Sequence, residues 1–145
     1  MTLEGDYEPS PWEWVRDQVD VYERTGGREG GTLEGKPVVV LTTRGRRSGQ
    51  LRKSPLMRVE HDGRYAVVAS QGGAPKHPVW YLNLLADPHV TLQDGDRVFD
   101  MRARVASGDE KREWWNRATD TWPAYDEYQA KTDREIPLVI LEPAG

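Results

Sequence analysis

Two Asp-Gly steps constrain this chain more than any other feature. Asp62-Gly63 and Asp94-Gly95 each stand between runs in which apolar and polar residues alternate. Such a pair accepts the positive φ angles of a tight hairpin turn. Residues 51–60 and "RYAVVAS" flank the first step, and "HVTLQ" and "RVFDMRARV" flank the second. In the last run Phe99, Met101, Ala103 and Val105 alternate with Asp100, Arg102 and Arg104, the period of a half-buried strand. "KPVVVLTT" and "IPLVILEP" add two β-branched runs. In residues 51–60, Leu51, Pro55, Met57 and Val59 share one face with Lys53, and Pro55, which cannot donate to a ladder, marks an edge or a bulge. Roughly six strands with hairpin chemistry and interspersed helices predict a mainly β fold, an antiparallel barrel with peripheral helices.

Four helices are expected around it. Residues 10–25 carry Ser10, Pro11 and Glu13 as a capping box with a first-turn proline, and Trp12, Val15, Val19 and Tyr22 form a stripe at helical spacing. "GGREGGTLEG" (26–35) ends that helix and reads as a mobile connection. The chain thus divides into an N-terminal helix with a glycine-rich linker, 1–35, and a barrel domain, 36–145. "PVWYLNLLADP" predicts a second helix stopped near Asp87-Pro88. Ser107 and Glu110 form another capping box, opening a third helix through about Thr119, and Pro123 opens a short fourth helix in "WPAYDEYQAKT".

Several functions are disfavoured early. Cysteine is absent and the three histidines, His61, His77 and His89, show no ligand spacing, so no metal site is expected. No run of about 18 apolar residues could span a membrane. The opening "MTLEGDYEPSPW" lacks the layout of a signal peptide, and a cytoplasmic protein is expected.

The charge distribution is uneven. Residues 35–59 contain no carboxylate and seven of the 20 basic residues, leaving 13 basic against 24 acidic residues elsewhere, a formal charge of −11. Within this island Gly45 and Gly49 bracket Arg46, Arg47 and Ser48 on a tight turn, with Arg52 on the strand that follows. Guanidinium groups offer paired donors to phosphate and carboxylate, and a tight turn exposes backbone N–H groups. A multi-anionic ligand is the functional reading; a solvated basic hairpin is the plain one. Nucleic acid is not expected, because the acidic remainder would repel a polyanion larger than the patch.

The motifs "GRRSGQLRKSPLMRVEHDGRYAVVASQGGAPKHPVWYLNLLADPHVTLQDG", "WWNRA" and "WPAYDEYQAKTDREIPLVILEP" resemble the deazaflavin-dependent nitroreductase and quinone reductase family over about residues 38–143. The resemblance implies a split β-barrel related to FMN-binding flavoproteins. It also implies coenzyme F420 as cofactor, and a quinone or nitroimidazole acceptor. By position it implies that Arg46, Arg47 and Ser48 contact the anionic tail. Arg52, Lys53, Ser54, Pro55, Leu56 and Met57 would join them. Val68, Ala69, Ser70 and Gln71 would line the deazaflavin ring, with the Ser70 hydroxyl as donor. Val79, Trp80, Tyr81, Leu82 and Asn83 would close the other side, Trp80 by packing and Asn83 by hydrogen bonding, with Lys76 adding charge near the phosphate.

Trp122, Tyr125 and Tyr128 recur every three residues and read as an aromatic wall over the acceptor; ordinary packing against the barrel is the competing reading. Ser70, Tyr125 and Tyr128 are the candidates for orienting substrate and stabilising charge. A non-catalytic coenzyme carrier and an FMN oxidase or reductase on the same barrel are the rivals; a single FMN phosphate does not need so many cations. The N-terminal helix has a net acidic polar face (Glu13, Asp17, Asp20 and Glu23 against Arg16 and Arg24), which opposes anionic lipid. Peripheral contact with the inner face of the membrane would be weak, and a helix folded against the barrel or over the cofactor mouth is favoured.

Overall fold

The computed structural model describes residues 2–144. In chain order the elements are α1 (Glu13–Thr25), β1 (Thr32–Leu33), β2 (Lys36–Arg44), β3 (Leu51–Met57), β4 (Val59–His61) and β5 (Arg64–Val68), followed by a 3₁₀ turn at Gln71–Gly73. Then come α2 (Val79–Ala86), β6 (His89–Asp94), β7 (Arg97–Val105), α3 (Gly108–Thr121), α4 (Ala124–Lys131) and β8 (Leu138–Pro143). All pairings between these strands are antiparallel, and the sheet runs β1-β2-β6-β7-β8-β5-β4 with β3 on β2.

The expected strand over 51–60 is two strands broken at Arg58. Its first part pairs with β2 (Val38↔Met57 through Arg44↔Leu51), its second with β5 (Val59↔Ala66). That change of partner closes the sheet on itself, giving a split, curled barrel. Pro55 sits opposite Val40 on β3, whose other side faces no strand except at Leu51, so its missing donor falls on an edge.

Alternation sorts the core into three layers. Val39, Leu41, Tyr65, Val67, Val139 and Leu141 point into the barrel, where Trp80, Tyr81 and Leu84 of α2 join them. Ala66, Val68, Leu138 and Ile140 face the other way, onto Trp114 and Ala118 of α3 and Tyr125 of α4. Val38 and Val40 face Val19 and Tyr22 of α1. The run "VVVL" is continuously apolar because β2 is covered on both faces.

Both hairpins form. Asp62 and Gly63 have φ of 53° and 78°, whereas in the second hairpin Asp94 pairs with Arg97 and the two turn residues are Gly95 and Asp96. Asp94 is instead a brace: its carboxylate accepts from Arg58 Nε at 3.0 Å and from the Tyr65 hydroxyl at 2.5 Å. Burial would raise its pKa, but the Arg58 and Tyr65 bonds outweigh burial and hold the carboxyl below its ordinary 3.8.

Three local expectations are corrected. Ser10 does not cap α1: its hydroxyl accepts from the Trp12 N–H, and the helix begins only at Glu13. Trp12 therefore leaves the apolar stripe and is 63% exposed. Neither does Ser107 cap α3 with its side chain, and Glu110 turns instead to Arg104, which donates to both its oxygens at 2.5 and 2.8 Å. The glycine-rich stretch after α1 is packed rather than loose. A Cβ on Gly27 would meet the Gly95 backbone at 2.8 Å, and Gln18 Nε2 donates to the carbonyls of Gly30 and Thr32.

Candidate active site

A cleft of about 620 Å³ opens between β3, the segment after β5, α2, the α3–α4 junction and the start of α1. Its size is that of a small-molecule site. Most sequence-predicted residues converge on it. Arg52, Lys53, Ser54, Pro55, Leu56 and Met57 form one wall. Val68, Ser70 and Gln71 form the floor, Val79, Trp80 and Asn83 the second wall, and Trp122, Tyr125 and Tyr128 the third.

Six predicted residues do not line it: Arg46, Arg47 and Ser48 of the basic turn, and Ala69, Tyr81 and Leu82. Ala69, just past the end of β5, belongs with Tyr81 to the barrel interior, and Leu82 packs against it. A contiguous stretch of strand or helix cannot turn every side chain to one ligand. Tyr81 instead packs its ring 4.8 Å from that of His77.

The basic turn sits beside the cleft, held by a dense set of bonds. Gly45 N donates to the Gln50 carbonyl at 2.8 Å, Gly49 N to the Gly45 carbonyl at 2.9 Å, and Arg44 Nη1 to the Gly49 carbonyl at 2.9 Å. Asn83, 2% exposed, ties the turn to α2: its Oδ1 accepts from Arg46 N at 3.1 Å and its Nδ2 donates to Thr43 Oγ1 at 3.2 Å. Arg46 and Arg47 are exposed and form no ion pair among the described residues. Lys76 is exposed and lies outside the cleft lining.

Inside the cleft two hydroxyls face open space. Ser70 is 7% and Tyr125 6% exposed, and neither side-chain oxygen bonds to another described residue. No fully buried side-chain polar atom lacks a partner, so both oxygens keep an open side, which is the cleft they line. Burial, then the neighbouring Tyr128, pushes the Tyr125 phenol far above its ordinary 10.0, so it remains a neutral donor at physiological pH. Tyr128 is oriented differently: its oxygen accepts from Trp122 Nε1 at 3.2 Å, leaving the phenolic proton for another acceptor. The two phenol rings meet edge to face at 6.2 Å.

Backbone geometry places these groups. Gln71 has φ of 45°, a left-handed conformation that costs a non-glycine residue energy, and it lies on the cleft floor. Gly73 permits α4 to approach: a Cβ there would lie 2.8 Å from the Tyr128 carbonyl oxygen. Arg134 Nε and Nη2 donate to the carbonyls of Ala74 and Ser70, and Nη1 to that of Ala69. Nη1 also reaches His77 Nδ1 at 3.1 Å; burial and Arg134 keep that imidazole below its ordinary 6.5 and therefore uncharged at neutral pH.

The N-terminal helix, expected against the barrel or over the cofactor mouth, does border the cleft, but its lining residues carry no assignment from the sequence. Ser10, Pro11, Trp12, Trp14, Val15 and Leu33 line this side, with Trp12 and Trp14 more than half exposed and their rings 6.4 Å apart. The signal available was two tryptophans in the polar stretch "PSPWEW", of which the helical stripe explains only one.

The fold is a split barrel with an aromatic cleft and a cationic turn at its edge. Residues 14–143 match the F420H(2)-dependent quinone reductase family, and the chain belongs to it. It is an oxidoreductase whose cofactor is the reduced deazaflavin coenzyme F420. The F420H(2)-dependent quinone reductase Rv1261c of Mycobacterium tuberculosis is 34% identical over 125 residues, covering 83% of this chain and 84% of its own. The solved structure of an F420-H2 dependent reductase, FDR-A, is 54% identical with a TM-score of 0.70, covering 73% of this chain and 94% of that one. A second solved structure, described as a domain-swapped dimer, is 50% identical with a TM-score of 0.72, covering 92% of this chain and all of that one.

Proposed function

We propose that the cleft holds reduced F420 with its ring between β3 and α2 and its anionic tail toward Arg46 and Arg47, and that a quinone takes the hydride beneath the aromatic wall. The observation that carries this is the coincidence, at one cleft, of neutral hydroxyls and a neighbouring pair of guanidinium groups that have no partner among the described residues, together with apolar walls. A flat ring with a phosphate and glutamate tail fits that set; a neutral ligand would leave Arg46 and Arg47 without purpose. When bound, the deazaflavin supplies a hydride as a two-electron unit, the hard chemistry that the protein then positions.

The chain's own residues do the rest. Val68, Leu56, Met57, Val79 and Trp80 supply apolar surface that excludes water from the ring. Ser70 and Tyr125 offer hydroxyl protons into the cleft, where negative charge develops on an acceptor oxygen as it is reduced. Preorganised donors of this kind act most strongly in a water-poor site. Tyr128, its oxygen held by Trp122, provides a third donor toward the acceptor. Trp12 and Trp14 close the open side against the acceptor ring.

Nitroaromatic acceptors are the narrower extension of this reading. They are flat, take electrons in pairs, and would meet the same walls and donors. The decisive experiment mixes purified protein, reduced F420 and either a quinone or a nitroimidazole, following the return of oxidised deazaflavin absorbance. Protein-dependent oxidation with the quinone is expected. Oxidation no faster than in the protein-free control would overturn the proposal.

A further inference from the structure

An acidic segment of the chain lies on the cationic hairpin itself. Residues 6–8 run along the open edge of β3: Leu51 N donates to the Asp6 carbonyl at 2.7 Å, Glu8 N donates to the Leu51 carbonyl at 2.8 Å, and Tyr7 forms a parallel bridge with Leu51. Upstream, the Glu4 carbonyl accepts from Arg44 Nη2 at 3.0 Å. This strap delivers a carboxylate to two groups of the basic hairpin. Glu8 Oε1 accepts from Ser48 Oγ at 3.3 Å, and Glu8 Oε2 lies 3.4 Å from Arg52 Nη1. From α1, Glu23 takes Lys53 Nζ at 2.6 Å.

The cations therefore fall into two pairs. Arg46 and Arg47 are uncompensated among the described residues, whereas Arg52 and Lys53 already hold carboxylates of the same chain. A glutamate side chain is also the chemical unit that a polyglutamate tail would present.

We propose that Glu8 is a specificity-determining residue: it occupies Ser48 and Arg52 as an internal stand-in for a tail carboxylate and so limits how much binding the enzyme draws from a long anionic tail. This rests on the reading of the cleft as the F420 site. Tail groups engage Arg46 and Arg47 without competition, but they reach Arg52 only by displacing Glu8. Displacement is feasible because the pair is open to solvent, with side-chain exposures of 27% for Arg52 and 41% for Glu8. The strap stays fastened when the carboxylate is removed, since its backbone bonds to Leu51 do not involve the Glu8 side chain.

Glu8→Gln tests this by deleting the charge and keeping the shape. Dissociation constants would be measured by deazaflavin fluorescence for F420 carrying a long polyglutamate tail and for the deazaflavin riboside that lacks both phosphate and glutamates. Glu8→Gln should bind the tailed coenzyme about two- to fivefold tighter at low salt, with the gain fading as salt rises, and bind the riboside unchanged. Asp120→Asn, an exposed carboxylate on α3, controls for net charge and should show no such gain. Unchanged or weaker binding of the tailed coenzyme by Glu8→Gln, or an equal gain in Asp120→Asn, overturns the proposal. If wild type binds tailed coenzyme no better than riboside, the assignment of the basic hairpin to the tail fails, and Glu8 with it. A wild-type tail preference that Glu8→Gln leaves untouched sinks Glu8 alone.

Discussion

The guanidinium of Arg134 donates to the main-chain carbonyl of Ser70 at 2.7 Å, so a residue beyond α4 fixes the backbone of a cleft hydroxyl that precedes it by 64 positions. The same side chain holds the carbonyls of Ala69 and Ala74, closing the segment between β5 and α2 around one charge. Hydrogen bonds to a charged donor contribute about 1.5–3 kcal/mol each and are not additive. Arg134→Met should therefore lower stability in urea denaturation by about 2–3 kcal/mol. Because the released segment carries Ser70 and Gln71, F420 affinity should fall as well. Unchanged stability and affinity would mean that the segment holds itself.

Acid sensitivity should trace to Asp94. Its pKa is lowered in the folded state, so the stability it contributes is full above its ordinary 3.8 and is lost as pH falls through the still lower folded value. Asp94→Asn should cost about 1–3 kcal/mol at pH 7, because it leaves the half-buried Arg58 without its carboxylate. The gap between wild type and variant should narrow steadily below about pH 4. Denaturation midpoints across pH 2–7 would check this; a gap independent of pH would show that the Arg58–Asp94–Tyr65 cluster is not the acid-labile element.

Arg47 reports on the tail. Its side chain forms no ion pair among the described residues, so Arg47→Ala disturbs no internal pairing. Tailed F420 should bind about fivefold more weakly at low salt, and the dependence of affinity on salt should become shallower. Turnover at saturating coenzyme should change far less. Fluorescence titrations over a salt series would decide, and an unaltered salt dependence would leave the turn as a solvated hairpin.

Most of the strands, both hairpins and the four helices could be read from alternation and turn chemistry, because those signals are local; β1 could not, since it lies in the glycine-rich stretch that reads as a mobile connection. What could not be read depended on partners distant in sequence. The strand over 51–60 changes neighbour at Arg58, and only the closed sheet shows why. Glu110 reads as half of a capping box until the end of β7 brings Arg104 to it. Ser70 and Tyr125 were nameable from family motifs, but Ala69, Tyr81 and Leu82 came with them, since a matched segment does not say which side chains turn inward. Trp12 reads as part of the apolar stripe because the helical phase is extended one residue upstream of Glu13, where α1 starts. The strap at residues 6–8 carries no periodic signal at all; its place follows from the open edge of β3.

The proposed role of the cleft hydroxyls in hydride transfer to an acceptor rests above all on Tyr125. Its phenol is held protonated by burial and meets no other described side-chain or backbone polar group. Tyr125→Phe keeps the ring packed against Trp115 and Tyr128 while deleting only the hydroxyl. Stopped-flow mixing of the F420H2-loaded protein with a quinone, at saturating coenzyme, measures the transfer step itself. Wild type should transfer hydride, and Tyr125→Phe should fold, bind F420 and transfer about tenfold more slowly, equivalent to roughly 1.4 kcal/mol of barrier. An unchanged rate in Tyr125→Phe would remove the phenol from the transfer step.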